Sequence, residues 1–346
     1  LGVSQAMNAD YSVQVHDPRH DPDEVIAERV DVMNRLNAEV LPDDPPTPAE
    51  QVIASIRALP ERQRIWTLGA RDAAGRLAGF ARTSIDPAHD DNPDCLEVYL
   101  TIDAAHRRRG LGRRLVGEVT ALARAENRKR LFGKTVDRVP GADAFASALG
   151  ATAKAAMHIN HLRIEDVDRD LMKAWDADGP SRARDYDLIA FDGAVAEDLL
   201  EPFAELILVM NTAPRDDLVL NDFTITPAQV REWERERDAR GDEAWTLVAR
   251  HRATGELAGF HDVHWNPAKP RVVWVGATGV KPEHRGHALG KWLKAAMTLR
   301  ILDERPQVTT VRTENNDSND AMLGINRAMG YRPLLAVTTW ELVLDG

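Results

Sequence analysis

Cysteine is all but absent: Cys95 is the single one in 346 residues. No intrachain disulfide and no cysteine-rich metal centre can form, and a lone thiol suits a reducing, cytoplasmic setting. Cys95 is expected on a buried strand, as a small apolar residue rather than a nucleophile. Long apolar runs are missing too. No stretch approaches the roughly 18 residues a membrane-spanning helix needs, and no charged-then-apolar leader pattern is present. No membrane partner is expected. Positive charge is in deficit, with 44 Lys and Arg against 55 Asp and Glu and a net charge of −11. Such a chain is a poor general binder of nucleic acid, and its field mildly favours cationic ligands. Residue 1 is not Met; Met7 is read as the natural start, and residues 1–6 are set aside.

What is present is ample core material, 43% hydrophobic residues, in a length that suits two domains. The chain also repeats itself. WTLGARDAAGRLAGF (Trp66 to Phe80) returns as WTLVARHRATGELAGF (Trp245 to Phe260). TPAEQV at Thr47 returns as TPAQV at Thr226, and VMN at Val32 returns at Val209. IDAAHRRRGLGRRL from Ile102 returns as VKPEHRGHALGKWL from Val280. The blocks keep their order at a spacing of about 180 residues, which implies two copies of one domain of roughly 160 residues. The domains are placed at 7–167 and 186–346. The polar segment 168–185, with Gly179 and Pro180, is read as the linker.

Each half shows the same order of elements: a short strand, two helices, two strands joined at Gly75 or Gly255, a third strand, the glycine motif, a helix, then a strand, a short helix and terminal strands. This is an α/β class with mixed sheets. Both TP pairs place Thr (Thr47, Thr226) at an N-cap and Pro at the first helical position.

A strand that runs into a glycine loop and then a helix N-terminus makes an anion cradle. The first helical N–H groups lack intrahelical partners, the helix dipole favours negative charge, and glycine admits close approach. Neighbouring arginines would add charge-assisted hydrogen bonds. Two familiar cradles are excluded. The dinucleotide fingerprint needs a third glycine where Leu115 and Leu293 stand, and the P-loop needs a hydroxyl where Trp292 stands.

The repeated block resembles motif A of the GNAT superfamily of acyl-CoA N-acyltransferases, an Arg/Gln-x-x-Gly-x-Gly/Ala loop. The first copy matches at Arg107, Gly110 and Gly112, preceded by Ile102 on the strand. The second matches at Arg285, Ala288 and Gly290, preceded by Val280 and Pro282, with Ala288 replacing the first glycine. The resemblance covers nearly the whole chain twice and implies two tandem GNAT domains. It implies that loop N–H groups, including those of Gly286 and His287, hold the pyrophosphate of acetyl-CoA. It further implies that the strand from Thr278 to Val280 bonds the pantetheine arm, and that a splay beside this strand admits the thioester. In TENNDSNDAMLGINRAMGY (residues 313–331) the resemblance places Asn319 toward the coenzyme and Asn326 where many relatives carry an acidic Tyr. In the first copy Val139 and Ala146 take those two places, so its coenzyme-side contacts are degraded.

Transfer to an amine needs a base. Asp262 and His264, two apart on one strand face, are the candidates in the second copy; Glu97 and Tyr99 are those in the first. Asn326 can donate a hydrogen bond but not a proton, which leaves water as the acid. A backbone N–H near Val280 is expected at the oxyanion. His284 and His287 flank the loop without a third ligand, so no metal is expected and both are read as pyrophosphate-side or capping residues. Trp66, Trp245 and Trp274 are expected in the core. Asp43, Asp44, Asp216 and Asp217 are read first as solvated loop residues and second as acceptor-cleft residues.

The leading reading is an N-acetyltransferase that uses acetyl-CoA on the primary amine of a small molecule. The second domain is expected to be catalytic, and the first to be structural or a non-reactive coenzyme binder. One alternative is a non-catalytic acyl-CoA sensor or scaffold. Another is acetylation of a cysteinyl conjugate, as by mycothiol synthase, which shares the tandem architecture. A monomer or a homodimer fits equally.

Overall fold

The computed structural model describes residues 11–344; Met7 and the residues before it lie outside them. The chain forms two compact units. Among the described residues the first takes 11–156, 217–221 and 337–344; the second takes 157–216 and 222–336. In chain order the first contributes β1 (Tyr11–His16), α1 (Asp23–Val40), α2 (Ala49–Arg57), β2 (Arg64–Asp72), β3 (Leu77–Ile85), β4 (Cys95–Glu97), β5 (Tyr99–Ile102), α3 (Leu111–Ala125), β6 (Arg130–Val136) and α4 (Ala142–Ala148). Then come β7 (Thr152–Arg163), α5 (Arg169–Arg182), β8 (Tyr186–Asp192), α6 (Leu200–Ile207), α7 (Pro227–Ala239), β9 (Glu243–His251), β10 (Leu257–Trp265), β11 (Val272–Val280), α8 (Leu289–Glu304), β12 (Thr310–Asn316), α9 (Asp320–Met329) and β13 (Arg332–Val343).

In the first unit β1, β2, β3 and β5 form an antiparallel sheet in that order. β4 pairs in parallel with β6, and β6 pairs antiparallel with residues 337–343 of β13. In the second unit β8, β9, β10 and β11 run antiparallel, β12 joins β11 in parallel, and residues 157–163 of β7 join β12. The units therefore do not divide at the expected 167 and 186. A strand end from each half of the sequence completes the sheet of the other unit.

The expected linker 168–185 is corrected as well, because most of it is α5. The Asp168 carboxylate accepts from the Leu171 N–H and caps the helix. Pro180 falls in the last turn, where it removes one intrahelical N–H donor and the helix ends two residues later, at Arg182. Gly179 is there because α5 packs tightly on α8: a Cβ would overlap the Trp292 indole, whose Nε1 donates to Asp176 at 3.1 Å.

Two helices that begin on equivalent motifs are buried differently. α3 buries Leu111, Leu115, Val119 and Ala123, one stripe at a spacing of four. α8 buries Leu289, Trp292, Leu293, Ala295, Met297 and Ile301 on several sides, because α5 covers the side that α3 leaves wet. The repeated VMN block has one structural job in both copies. Asn34 grips the backbone N–H and carbonyl of Thr47, and Asn211 grips those of Phe223. Thr226 caps α7 as expected, whereas Pro48 holds the N-cap of α2 and Thr47 is held by Asn34 instead. Gly75 and Gly255 turn the hairpins at φ 79° and 75°.

Candidate active site

Each glycine loop needs two residues in the left-handed region, and the copies divide the task oppositely. The first uses Arg108 (φ 62°) and Gly110 (φ 79°); the second uses Gly286 (φ 88°) and Ala288 (φ 60°). Gly110 and Ala288 are the N-cap residues of α3 and α8. The motif arginines point backward. Arg107 Nε donates to the Ile102 carbonyl at 3.1 Å, and Arg285 Nε donates to the Val280 carbonyl at 3.0 Å. Each one staples the loop to its strand, so the cradle itself is made of backbone. The beginning of each loop is also tied to the first strand of its half, by Tyr11 Oη to His106 Nδ1 (3.1 Å) and by Tyr186 Oη to His284 Nδ1 (2.8 Å). Glu256, Glu283 and His284 each bring one ligand atom within 4.8 Å of one another, but the Lys281 ammonium already pairs with Glu256 at 2.7 Å.

The guanidinium ends differ between copies. Arg285 Nη2 donates to the Thr212 hydroxyl at 2.8 Å. Both Arg107 Nη atoms are taken by the Glu39 carboxylate, at 2.7 and 2.9 Å. A Cβ at Gly112 would lie 3.0 Å from the Phe145 ring, whereas at Gly290 the nearest atom is Ile325 at 3.6 Å. The first loop is thus crowded and its arginine neutralised.

In the second unit a cavity of about 800 Å³ opens over the loop. Thr278, Gly279 and Val280 line one side, and Arg285, Gly286, Ala288 and Gly290 line its floor. Asn319 lines it too, although its carboxamide oxygen is spent capping α9 by accepting from Met322 N–H. Of the expected coenzyme residues in this copy, His287 is the one outside this lining; its ring packs beside Tyr186 at 5.5 Å. The volume lies in the range of small-molecule sites. Beyond Trp274 the strands β11 and β12 part, their pairing being Val272 to Thr310 through Trp274 to Arg312. An extended, anion-bearing ligand such as acetyl-CoA fits this set: a backbone cradle, an unpaired strand segment and a splay.

Asp262 and His264 meet beside that splay. His264 Nε2 lies 2.9 Å from Asp262 Oδ2, and Asp262 Oδ1 accepts from the Ala277 N–H at 2.8 Å. A β-bulge in β11, where His261 faces Thr278 but Val263 faces Val275, frees that N–H from the ladder. Gly276 is required by the pair, since a Cβ there would collide with the Asp262 carboxylate and the His264 ring. Asn326 is buried; its Nδ2 donates to Asn315 Oδ1 at 2.7 Å, and its own Oδ1 has no protein partner.

Two buried groups escaped the sequence reading. Lys294 on α8 is 1% exposed, 5.5 Å from the Tyr331 ring centre, and burial lowers its ammonium to about 8. His261 is bonded through Nδ1 to the Thr278 hydroxyl, and burial, with the Lys294 charge behind it, holds its imidazole well below the usual 6.5. The visible signal was a lysine amid the apolar run of WLKAAM. Trp274, expected in the core, is half-buried beside Arg312. Cys95 is half-buried, and burial pushes its thiol up to about 12, far from a nucleophile's range. No helix among the described residues is long and apolar enough to cross a membrane.

Comparison with known proteins agrees with this geometry. The acetyltransferase (GNAT) family matches residues 30–151 and again 213–331. A mycothiol acetyltransferase of Clavibacter sepedonicus is 30% identical over 75% of this chain and 82% of its own length. Another from Salinispora tropica is 29% identical over 80% of this chain and 81% of its own. Among solved structures, a tandem GNAT protein from the clavulanic acid biosynthesis pathway superposes with a TM-score of 0.78 at 27% identity, over 97% of this chain and 99% of that one. A GCN5-related N-acetyltransferase from Sphaerobacter thermophilus shares the fold, with a TM-score of 0.61 at 14% identity over 97% and 96% of the two chains. Two family matches in one chain, each on a strand, glycine loop and helix, make this protein a tandem member of the acetyltransferase (GNAT) family and an N-acetyltransferase.

Proposed function

We propose that the second unit transfers the acetyl group of acetyl-CoA to the primary amine of a small molecule, and that Asp262 with His264 takes up the amine proton. The observation that carries this is the Asp262–His264 pair seated over Gly276 at the bulge, beside the splay through which a thioester would enter. The amine nitrogen attacks the thioester carbonyl carbon, and the C–N bond forms as charge gathers on oxygen. A backbone N–H of β11 near Val280 stabilises that oxygen. Collapse breaks the C–S bond and releases the thiolate, while the nitrogen gives up its proton to the pair. Asn326 orients through Asn315 but holds no transferable proton, so the thiolate is protonated by water. The first unit is assigned a structural role, because Glu39 neutralises Arg107 and Phe145 crowds Gly112.

Free-thiol release from acetyl-CoA across a panel of small amines tests the assignment. Asp262→Asn is expected to lower kcat by about 10²–10⁴, the usual contribution of a positioned base. Coenzyme binding without thiol release above background would sink the enzymatic assignment for that panel. A second acceptor class has its own support in the two relatives named mycothiol acetyltransferases. A cysteinyl sugar conjugate belongs in the panel for that reason, and preferential turnover of it would select that class.

A further inference from the structure

The cavity has a wall that neither the glycine motif nor the catalytic strands provide. Trp175, Asp178, Gly179 and Arg182 of α5 line it together with Lys291 in the first turn of α8. The Lys291 ammonium sits 5.0 Å from the Trp175 ring centre, a cation–π contact that fixes the direction of a side chain otherwise free to roam. Arg182 is 67% exposed, and its carboxylate neighbour Asp178 stands 3.7 Å away, also exposed, a pairing that solvent screens to little. α5 is held in place by its cap, by Gly179 against Trp292 and by the Trp292–Asp176 hydrogen bond, so this wall is built rather than adventitious.

This inference rests on the assignment of the cavity to acetyl-CoA. With the thioester end directed to the splay and the pyrophosphate at the start of α8, the adenylate end leaves the loop along either the wall of α5 or that of the start of α9. The α9 wall offers Asp320 and no cation, whereas the α5 wall carries Arg182 beside Lys291. The adenylate end carries a phosphomonoester, the 3′-phosphate, with a charge of about −1.5 to −2 at neutral pH. We propose that Arg182 and Lys291 form the binding site for the 3′-phosphate of the coenzyme, with Trp175 as the positioning residue for Lys291. α5 then gives the enzyme its selectivity for CoA over coenzyme forms that lack this phosphate. Two cations on one dianionic group, against the single screened carboxylate of Asp178, set the sign of the interaction.

Titration calorimetry of the full chain with CoA and with dephospho-CoA tests this without knowledge of the acceptor. The wild-type protein is expected to bind CoA about tenfold more tightly than dephospho-CoA, the size of one charge-assisted contact. Arg182→Ala and Lys291→Ala should each reduce that ratio to about 2–3 by weakening CoA alone, and the double variant should bring it to about 1. Trp175→Leu should lower the ratio as well and Trp175→Phe should restore it, which a merely structural Trp175 would not do. Far-UV dichroism checks that each variant is folded, and the exposed Arg182 decides the matter if Trp175→Leu is not. A wild-type ratio near 1, or a ratio unchanged in both single cation variants, overturns the proposal. If neither ligand binds the wild-type chain, it is the assignment of the cavity to acetyl-CoA that falls, and the two failures are thereby told apart.

Discussion

Ala288 shows what a single residue costs at a loop that needs a left-handed backbone. At φ 60° an L side chain costs roughly 1–2 kcal/mol, which glycine avoids. Ala288→Gly is therefore expected to stabilise the second unit by about 0.5–1 kcal/mol, after the extra freedom of glycine in the unfolded chain is discounted. A thermal melt checks it, and an unchanged or lower Tm would refute it. Lys294 gives a pH signature. Its ammonium is lowered from 10.5 to about 8 by burial, so between these values the unfolded chain holds a proton that the folded chain has released. Stability must rise with pH across that window and be lower by the full cost below about 8. His261 acts at the acid end: its depressed imidazole makes stability fall as pH drops below 6.5. Lys294→Met is expected to stabilise the protein by about 3 kcal/mol at pH 7 and to abolish the rise between pH 8 and 10.5, as read by denaturant melts across pH. At this scale the sequence was legible where backbone mattered, since the loop positions follow from glycine spacing. It misled where side-chain direction mattered: a motif names Arg285 but does not say that its guanidinium turns back to Val280 and Thr212.

At the scale of elements the instructive error is α5. Gly179 and Pro180 together read as a break, yet the glycine is a contact surface for Trp292 and the proline merely closes the last turn. A better clue lay in α8, whose apolar residues are not confined to one stripe as those of α3 are, and a helix apolar on several sides needs a cover on each. Gly179→Val is expected to separate α5 from α8 and to cost at least about 1–3 kcal/mol, the usual penalty of overpacking. Because the same helix walls the cavity, CoA binding should weaken in parallel. A melt with intact stability would show that α5 does not pack as described. Strand, hairpin and loop order were recoverable from the repeat itself, since WTL and the glycine block recur on equivalent elements; VMN lies inside α1 in one copy and in the 3-10 turn after α6 in the other. The pairing partners of β7 and β13 were not, because both terminal strands have the same pattern and nothing local distinguishes a strand that pairs at home from one that pairs away.

For the whole molecule the exchange of strand ends has a direct test. A fragment 186–346 lacks residues 157–163, which pair with β12, and lacks α5, which covers α8. A fragment 1–167 lacks residues 337–343, which pair with β6. Each fragment alone is expected to expose open strand edges and to aggregate or remain molten. Fragments 1–185 and 186–346 produced together should recover a soluble, cooperatively melting complex, as followed by gel filtration and near-UV dichroism. A sharp melt from 186–346 alone would refute this account of the units.

The same exchange sets an order of events on the ribosome. β6 emerges about 200 residues before the segment of β13 that will lie beside it, an interval on the order of 10–40 s at ordinary rates of synthesis. The half of the protein made first is therefore the half finished last. During that interval it is an unsealed sheet in a crowded cell and a natural client for chaperones, and a stop codon gained within residues 337–343 would damage the first unit before it touched the second.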